Sequence, residues 1–437
     1  MNSHLKCNLR TAGAFRRNPV VFLLLVLATV EMSGLAQADA VSDWNVTAVA
    51  VTADLGLGMP RSRVLAMTHA AIHDALNSIQ PRFSTYAREA PSSPSASPEA
   101  AVAAAAHDVL IATVPSQVAA LDASYAIALA AIADGTAKTQ GIAAGQAAAT
   151  TILALRAHDG AANANIPYTL APGLGIWQPT PPAFLPAAFP GWGNITPFVL
   201  RNDEQFRPDL QEALDLTSAQ YAADYNEVKQ IGDVNSVTRT ADQSSIAQFW
   251  YEGSPFSWDR IARIVSVQQG LDLWQNARLF ALLNFAMADG FIAGFNAKYF
   301  YNFWRPVTAI ENGANDNNPD TVGDPAWSSF LVTPNIPDFP STHSVLGAAA
   351  AAVLQDFFDD DYIAFTTTSG APFPGITRSY TSFSQAALEN ANSRVYAGIH
   401  FRTACIEGMR MGEKIGKFTF MHVLEPLDND GRNHQDQ

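Results

Sequence analysis

Apolar residues recur at helical spacing along most of the chain. In residues 61–79, one helical face carries Leu65, Met67, Ala71, Ile72 and Leu76. The same pattern predicts helices at residues 100–114, 116–134, 137–158, 218–231, 240–250, 345–358, 385–399 and 404–420, and two long core helices within residues 259–298. Strand-type alternation is scarce. The pattern predicts an all-α protein, namely two packed four-helix-type bundles with long irregular connecting segments.

Local features mark where regular helices start or are absent. Residues 44–53 are strand-like at the start of the first predicted region. Ser97 followed by Pro98 predicts a helix start, with an N-cap serine and a proline at the first helical position. Residues 159–200 are rich in glycine, proline and aromatic residues. We expect this segment to pack irregularly over the core, because its aromatic side chains need burial.

The N-terminal 40 residues have the pattern of a secretory signal peptide. Lys6, Arg10, Arg16 and Arg17 precede a short apolar stretch at residues 20–30. Small-residue cleavage patterns follow at residues 36–38 and 38–40. The apolar stretch is short for a membrane span, which favours a cleaved signal over a membrane anchor. We therefore expect cleavage, no stable membrane insertion afterwards, and a secreted or periplasmic location.

Composition and charge narrow the class of protein. The 437 residues are 48% hydrophobic and 15% charged, which is typical of a globular protein. This length exceeds one ordinary core, so we expect an N-terminal helical region at residues 41–200 and a C-terminal helical region at residues 201–437. The formal net charge of −14 argues against a nucleic-acid partner. The oligomeric state is left open, a homo-oligomer included.

The first candidate box spans residues 298–306. Lys298 and Arg305 are seven residues apart, or two helical turns, so the spacing predicts that both project from one side of a helix. Five of the six residues between them are aromatic, which favours burial over a solvated basic face. Buried cations need an anionic partner, and a guanidinium offers a planar fork for two oxygens.

The second candidate box spans residues 338–344, directly before an apolar run. Ser341 is placed to begin a helix, and the N-terminus of a helix is a natural anion site. His343 would then be a titratable group beside the anion. The alternative interpretation is an N-capping serine followed by a surface histidine.

The third candidate box joins Arg394 and His400. The two residues are six apart and do not share a stripe of a regular helix. A turn near Gly398 could still bring them to one site. The alternative interpretation of His400 is a core histidine whose hydrogen bonds are satisfied within the protein.

Together the boxes resemble a known signature. Lys-x6-Arg-Pro, then Pro-Ser-x-His, then Ser-Arg-x5-His is similar to the motif of vanadium-dependent haloperoxidases and of acid phosphatases related to type 2 phosphatidic acid phosphatases. Residues 301–310 and 337–341 resemble the soluble bacterial haloperoxidase branch, as do residues 239–250 upstream. The resemblance extends over nearly the whole mature chain, and its specific motifs lie within residues 298–402.

Two positions depart from the pattern of the family. Thr342 stands where glycine is usual, but the expected contact comes from the backbone N–H, which threonine also supplies. Ala404 stands where an aspartate often follows the histidine by four residues. The group that orients His400 is thus left open between Glu407 and a backbone carbonyl.

The resemblance implies a vanadate cofactor, with phosphate as a competing ligand. His400 would coordinate the vanadium. The oxygens would be held by Lys298, Arg305, Ser341, Arg394 and the backbone N–H of Thr342. His343 would act as acid or base on water or hydrogen peroxide. Hydrogen peroxide polarised by Lys298 would oxidise halide to a hypohalous-acid equivalent.

Two other functions fit the same residues. In a secreted acid phosphatase, His400 would attack a phosphate ester to form a phosphohistidine, and His343 would protonate the leaving alkoxide. The missing aspartate after His400 weakens this alternative, because an imidazole nucleophile benefits from a carboxylate. A non-catalytic oxyanion-binding protein would have no need of His343.

Other polar groups are predicted to be structural. His69 and His73 have the spacing of a metal pair but lack a third ligand, so helix packing is the favoured interpretation. The acidic residues 316–324 lack the features of an EF-hand and are expected to form a polar loop. Removal of Cys7 with the signal would leave Cys405 without a disulfide partner, as a small packing residue.

Overall fold

The fold is described for residues 39–56, 58–88, 90–209 and 214–428 of a computed structural model. The basic and apolar parts of the predicted signal peptide lie outside these residues. The helices are α1 (Ala40–Val51), α2 (Gly58–Ile79), α3 (Pro98–Thr113), α4 (Val118–Ala130), α5 (Thr136–Arg156), α6 (Ala219–Ile231), α7 (Ala241–Phe249), α8 (Ser254–Gln269), α9 (Leu273–Tyr301), α10 (Pro306–Asn312), α11 (Thr342–Phe358), α12 (Phe383–Tyr396) and α13 (Arg402–His422). Two strands, β1 (Phe365–Thr368) and β2 (Thr377–Tyr380), pair as an antiparallel hairpin. The predicted all-α class is confirmed.

The predicted strand-like start is wrong, because this stretch belongs to α1. The side chain of Asp39 caps the helix by accepting from the backbone N–H of Ser42. Val41, Trp44 and Ala48 are buried at intervals of three and four residues. Packing of this face against the core overrides the strand propensity of the valines and threonines.

One short helix and one two-stranded hairpin were not predicted from the sequence. The short helix α10 begins at the last residue of the first box, where Pro306 occupies its first position. The strands are four residues each, and β1 alternates buried and exposed side chains, with Phe365 paired to Tyr380. Elements this short give too few repeats for a pattern to be recognised.

Helix α9 lies at the centre of the fold. It packs against α2 on one side and against α11 and α13 on another, while α3 and α5 pack together beyond α2. It is long and apolar enough to cross a membrane, but 94% of its most apolar 18-residue window is buried inside the protein, as in a core helix. Helices from both predicted regions thus meet on α9, and the boundary at residue 200 stays a prediction.

A seam of glycines brings α13 close to α11. Gly408, Gly412 and Gly416 follow one another at one-turn spacing on α13. A Cβ atom at Gly412 would lie 2.0 Å from the carbonyl oxygen of Val345, and one at Gly408 would lie 2.6 Å from that of Ser341. Only a hydrogen fits at these positions, so the seam fixes the start of α11, which carries the second box.

The polar groups interpreted as structural make contacts inside the fold. His69 contacts an asparagine of α1 at 2.8 Å, and His73 lies 3.0 Å from the carboxylate of Asp74. Asp316 accepts a hydrogen bond from the Thr321 hydroxyl within its loop. Cys405 is a buried free thiol.

Candidate active site

The two cations of the first box lie on different elements. Lys298 is in the last turn of α9, which is closed by Asn302 in the left-handed conformation (φ 53°). Arg305 is the N-cap residue of α10. The prediction that one helix carries both is wrong, because a left-handed residue ends the helix and redirects the chain between them.

Both side chains nevertheless reach one loop, residues 336–338. Lys298 Nζ donates to the carbonyl oxygens of Pro337 (2.7 Å) and Asp338 (2.9 Å). Arg305 Nε donates to the carbonyl oxygen of Ile336 (2.7 Å). Both cations are fully buried. The loop before the second box therefore positions the first box, a long-range contact that spacing alone does not reveal.

The second box begins α11 as predicted. The Ser341 side chain accepts from the backbone N–H of Ser344, and its own N–H donates to the carbonyl oxygen of Ala404 (2.9 Å). Thr342 is the first residue of α11 and is buried. Its methyl carbon lies 2.9 Å from where a Cβ would stand on Gly294, so that glycine of α9 makes room for a threonine at this position.

The third box is folded back on itself by a turn. Arg394 is in the last turn of α12, Gly398 has φ 77°, and His400 precedes α13. This is the turn that the sequence predicts. Arg394 and His400 are both buried, and Arg394 Nη1 donates to the carbonyl oxygen of Trp250 (3.2 Å).

The contacts of His400 assign a role to each ring nitrogen. Nε2 lies 3.0 Å from Arg305 Nη1, and a guanidinium can only donate, so Nε2 carries the lone pair. Nδ1 lies 2.8 Å from a carboxylate oxygen of Asp338, so Nδ1 carries the proton. This second contact has the distance of an ion pair but not the alignment of a hydrogen bond. The lone pair of His400 thus points toward the cations.

Asp338 is the functional residue that sequence reasoning missed. It lies in the second box but was given no role there, while Glu407 was considered for orienting His400. The Glu407 carboxylate instead pairs with Arg410 along α13. Asp338 is fully buried and borders the same small cavity as Ala404. The carboxylate of Asp338, from the loop before α11, thus borders position 404 on α13, where the resemblance leads one to expect an aspartate.

His343 differs from the other site residues in being only partly buried. Its Nε2 lies 3.3 Å from the carbonyl oxygen of Glu252, and a carbonyl can only accept. Nε2 therefore carries the proton, and Nδ1 keeps a lone pair. His343 and Arg394 line a cavity of about 320 Å³. Nδ1 is therefore the atom of His343 that can accept a proton.

The site holds a concentration of positive charge away from water. Burial and the neighbouring Arg305 lower the pKa of Lys298 well below its usual range. Burial lowers the pKa of Arg305 and of Arg394 to about 10. Burial and Arg394 lower the pKa of His343, and burial and Arg305 lower that of His400. Burial raises the pKa of Asp338 to about 7 against the pull of Arg305 and Lys298.

Two guanidinium nitrogens in this cluster have no protein acceptor. Arg305 Nη2 and Arg394 Nε are buried and make no hydrogen bond. Three basic side chains face one carboxylate, so charge and hydrogen-bonding capacity are both in excess. A tetrahedral oxyanion offers acceptors for these N–H groups and negative charge for the cations. The residues present therefore fit an oxyanion cofactor such as vanadate or phosphate.

The segment that carries the three boxes also matches a known family of domains. Residues 278–429 match the family described as the VCPO second helical-bundle domain. The segment that carries the three boxes thus belongs to a family of domains found in vanadium-dependent haloperoxidases. The fold is similar to that of bacterial vanadium-dependent haloperoxidases.

Individual relatives differ in how much of this chain their similarity covers. The vanadium chloroperoxidase of Curvularia inaequalis is 26% identical over 225 residues, covering 38% of this chain and only 36% of that protein. A bacterial vanadium-dependent iodoperoxidase superimposes with a TM-score of 0.78 at 26% identity, covering 88% of this chain and 97% of its own. An apo-type bacterial vanadium-dependent chloroperoxidase superimposes with a TM-score of 0.70 at 17% identity, covering 82% of this chain and 92% of its own. This second structural match shows a similar fold alone.

Proposed function

We propose that this protein is a vanadate-dependent haloperoxidase that oxidises halide with hydrogen peroxide to a hypohalous-acid equivalent. The observation that carries the proposal is the buried set of unpaired guanidinium N–H groups around the lone pair of His400. The haloperoxidases among the relatives support a reaction of this type.

Each site residue has a role that follows from its chemistry. His400 Nε2 would ligate the vanadium. The oxygens would be held by Lys298, Arg305, Ser341, Arg394 and the N–H of Thr342. Bound vanadate would supply a Lewis-acidic centre that activates hydrogen peroxide without changing oxidation state. His343, kept neutral by its lowered pKa, would take a proton from hydrogen peroxide at Nδ1 and return it later.

The proposal is tested by two assays on the purified mature chain. After addition of orthovanadate, we expect hydrogen peroxide with bromide or iodide to halogenate a dione. The metal-free chain should show little hydrolysis of p-nitrophenyl phosphate. Absence of halogenation with every halide, together with ester hydrolysis that vanadate blocks, would make the protein a phosphatase.

One contact favours the phosphatase as the second candidate. A nucleophilic imidazole needs a partner that holds its second nitrogen protonated, and the carboxylate of Asp338 lies 2.8 Å from Nδ1 of His400. This contact offsets the argument against a phosphatase that came from the missing aspartate at Ala404. In this reaction His343 would protonate the leaving group of a phosphate ester.

We also propose that the chain is exported and cleaved between Ala38 and Asp39. Of the two cleavage patterns, this one keeps Asp39, which caps α1 and accepts a hydrogen bond from Asn276 of α9 (2.8 Å). Cleavage after Ala40 would remove the cap, a loss of about 1 kcal/mol by comparison with other N-caps. N-terminal sequencing of the secreted protein should begin with Asp39. A first residue of Val41, or an uncleaved chain, would contradict this.

A further inference from the structure

The turn between α7 and α8, residues 250–253, supplies backbone acceptors to two residues of the oxyanion site. The carbonyl oxygen of Trp250 accepts a hydrogen bond from Arg394 Nη1 (3.2 Å). The carbonyl oxygen of Glu252 lies 3.3 Å from Nε2 of His343. Because a carbonyl oxygen can only accept, its place beside Nε2 determines which ring nitrogen keeps the lone pair. Whatever holds this turn in place therefore also sets the state of His343.

The side chain of Glu252 ties this turn to α8 and to the hairpin. Its buried carboxylate forms an ion pair with Arg260 of α8. The same carboxylate accepts a hydrogen bond from the backbone N–H of Gly370, two residues after β1 (3.0 Å). Arg260 in turn donates to the hydroxyl of Thr367 on β1 (3.1 Å). Because a buried carboxylate is stable only with such partners, these contacts fix the position of Glu252.

The hairpin is shaped to receive this carboxylate. A Cβ atom at Gly370 would lie 2.8 Å from Oε2 of Glu252, so a larger residue there would displace the carboxylate. Further along the same hairpin turn, the ring of Phe373 packs edge-on against that of Tyr251, with the centroids 6.0 Å apart. The hairpin thus contacts two consecutive residues of the turn, Tyr251 and Glu252.

The contacts of Glu252 favour positioning over direct catalysis. Its carboxylate already has Arg260 and the N–H of Gly370 as partners. The cavity of about 320 Å³ beside His343 is lined by Tyr251 but not by Glu252. A reactant in that cavity would therefore meet His343 and not the carboxylate.

We propose that Glu252 is a positioning residue for His343. Its anchored carboxylate fixes the backbone carbonyl that keeps the imidazole proton on Nε2 and leaves Nδ1 free to accept a proton. Without the anchor the turn would move, and both the tautomer and the orientation of the ring would become mixed. The effect on turnover rests on the proposed function, whereas the position of the proton is a property of the cofactor-free chain.

The position of the proton is tested on the cofactor-free protein by ¹⁵N NMR of labelled histidines, with His343 assigned by the signals lost in His343→Ala. The unaltered chain should show a protonated Nε2 and an unprotonated Nδ1. Glu252→Gln weakens the ion pair and should give a mixture of the two tautomers. Gly370→Ala displaces the carboxylate but keeps both charges, and it decides the matter if Glu252→Gln does not fold. A proton on Nδ1 in the unaltered chain, or an unchanged tautomer in the folded variant, would overturn the proposal.

Asp159→Asn is the matched control, because it breaks a similar ion pair in the loop after α5. The side chains of Asp159 and Arg63 are 3% and 17% exposed, and those of Glu252 and Arg260 are 2% and 23% exposed. Asp159 also accepts a hydrogen bond from a backbone N–H, that of Ala161 (3.1 Å). The control should keep the tautomer of the unaltered chain. A mixture equal to that in Glu252→Gln would indicate general loosening of the fold and would overturn the proposal.

The link to catalysis is tested by a double-mutant cycle at saturating vanadate. Glu252→Gln should lower the turnover number about three- to tenfold, in keeping with the loss of one hydrogen bond between neutral groups. In a His343→Ala background it should lower turnover no further, because the two residues act through one contact. An equal loss in both backgrounds would show that Glu252 does not act through His343. No halogenation by the unaltered chain would instead refute the haloperoxidase function and leave the NMR result intact, so the two failures are distinguishable.

Discussion

Replacing His343 with alanine is expected to lower the halogenation turnover number about 10²- to 10⁴-fold, the usual range for a general acid or base. Its vanadate affinity should stay close to that of the unaltered chain. The reason is the position of the side chain. His343 contacts the carbonyl oxygen of Glu252 and lines the cavity, whereas the buried cations that would hold the anion are Lys298, Arg305 and Arg394.

The measurement separates the three functions that the sequence leaves open. Vanadate affinity is determined by equilibrium dialysis and turnover by dione halogenation, with His158→Ala on the exposed surface as the matched control. Turnover that survives in His343→Ala would exclude this residue as the proton carrier. An unaltered chain that binds vanadate and turns over neither halide nor phosphate ester would be an oxyanion-binding protein.

Some features of the oxyanion site could be predicted from the sequence, and others could not. The turn at Gly398 and the helix start at Ser341 follow from local rules, because a glycine at positive φ and a capping serine act within a few residues. The identity of the basic residues followed from the three boxes. The resemblance then predicted the class of ligand that these residues share.

The remaining features depend on contacts that have no sequence spacing. Lys298 and Arg305 are seven positions apart, a spacing that suggests one helix, but Asn302 ends it. The two side chains meet only because both reach the carbonyl groups of the loop at 336–338. Asp338 could have been singled out by its place in a segment of apolar residues, Ile336, Pro337 and Phe339, since a carboxylate there needs a partner. The identity of that partner required the fold.

A carboxylate at Asp338 is also expected to determine how well His400 serves as a ligand. Asp338→Asn should weaken vanadate binding about 10- to 100-fold, the range typical of a lost carboxylate behind a ligating histidine. The near-isosteric amide can turn its NH₂ group toward Nδ1, which would move the ring proton to Nε2 and remove the lone pair that faces the cations. Removing a negative charge would by itself strengthen anion binding. The direction of the change therefore decides which effect is larger.

Moving the carboxylate tests orientation more directly than removing it. Because Asp338 and Ala404 border the same small cavity, the double variant Asp338→Asn with Ala404→Asp returns a carboxylate from α13. It should recover most of the lost vanadate affinity. Glu407→Gln is the matched control and should bind vanadate normally, since Glu407 pairs with Arg410. Tighter binding by Asp338→Asn, in a folded variant with an unchanged melting temperature, would show that Asp338 acts through its charge alone. In that case the loop would stabilise the buried cations without orienting the ligand.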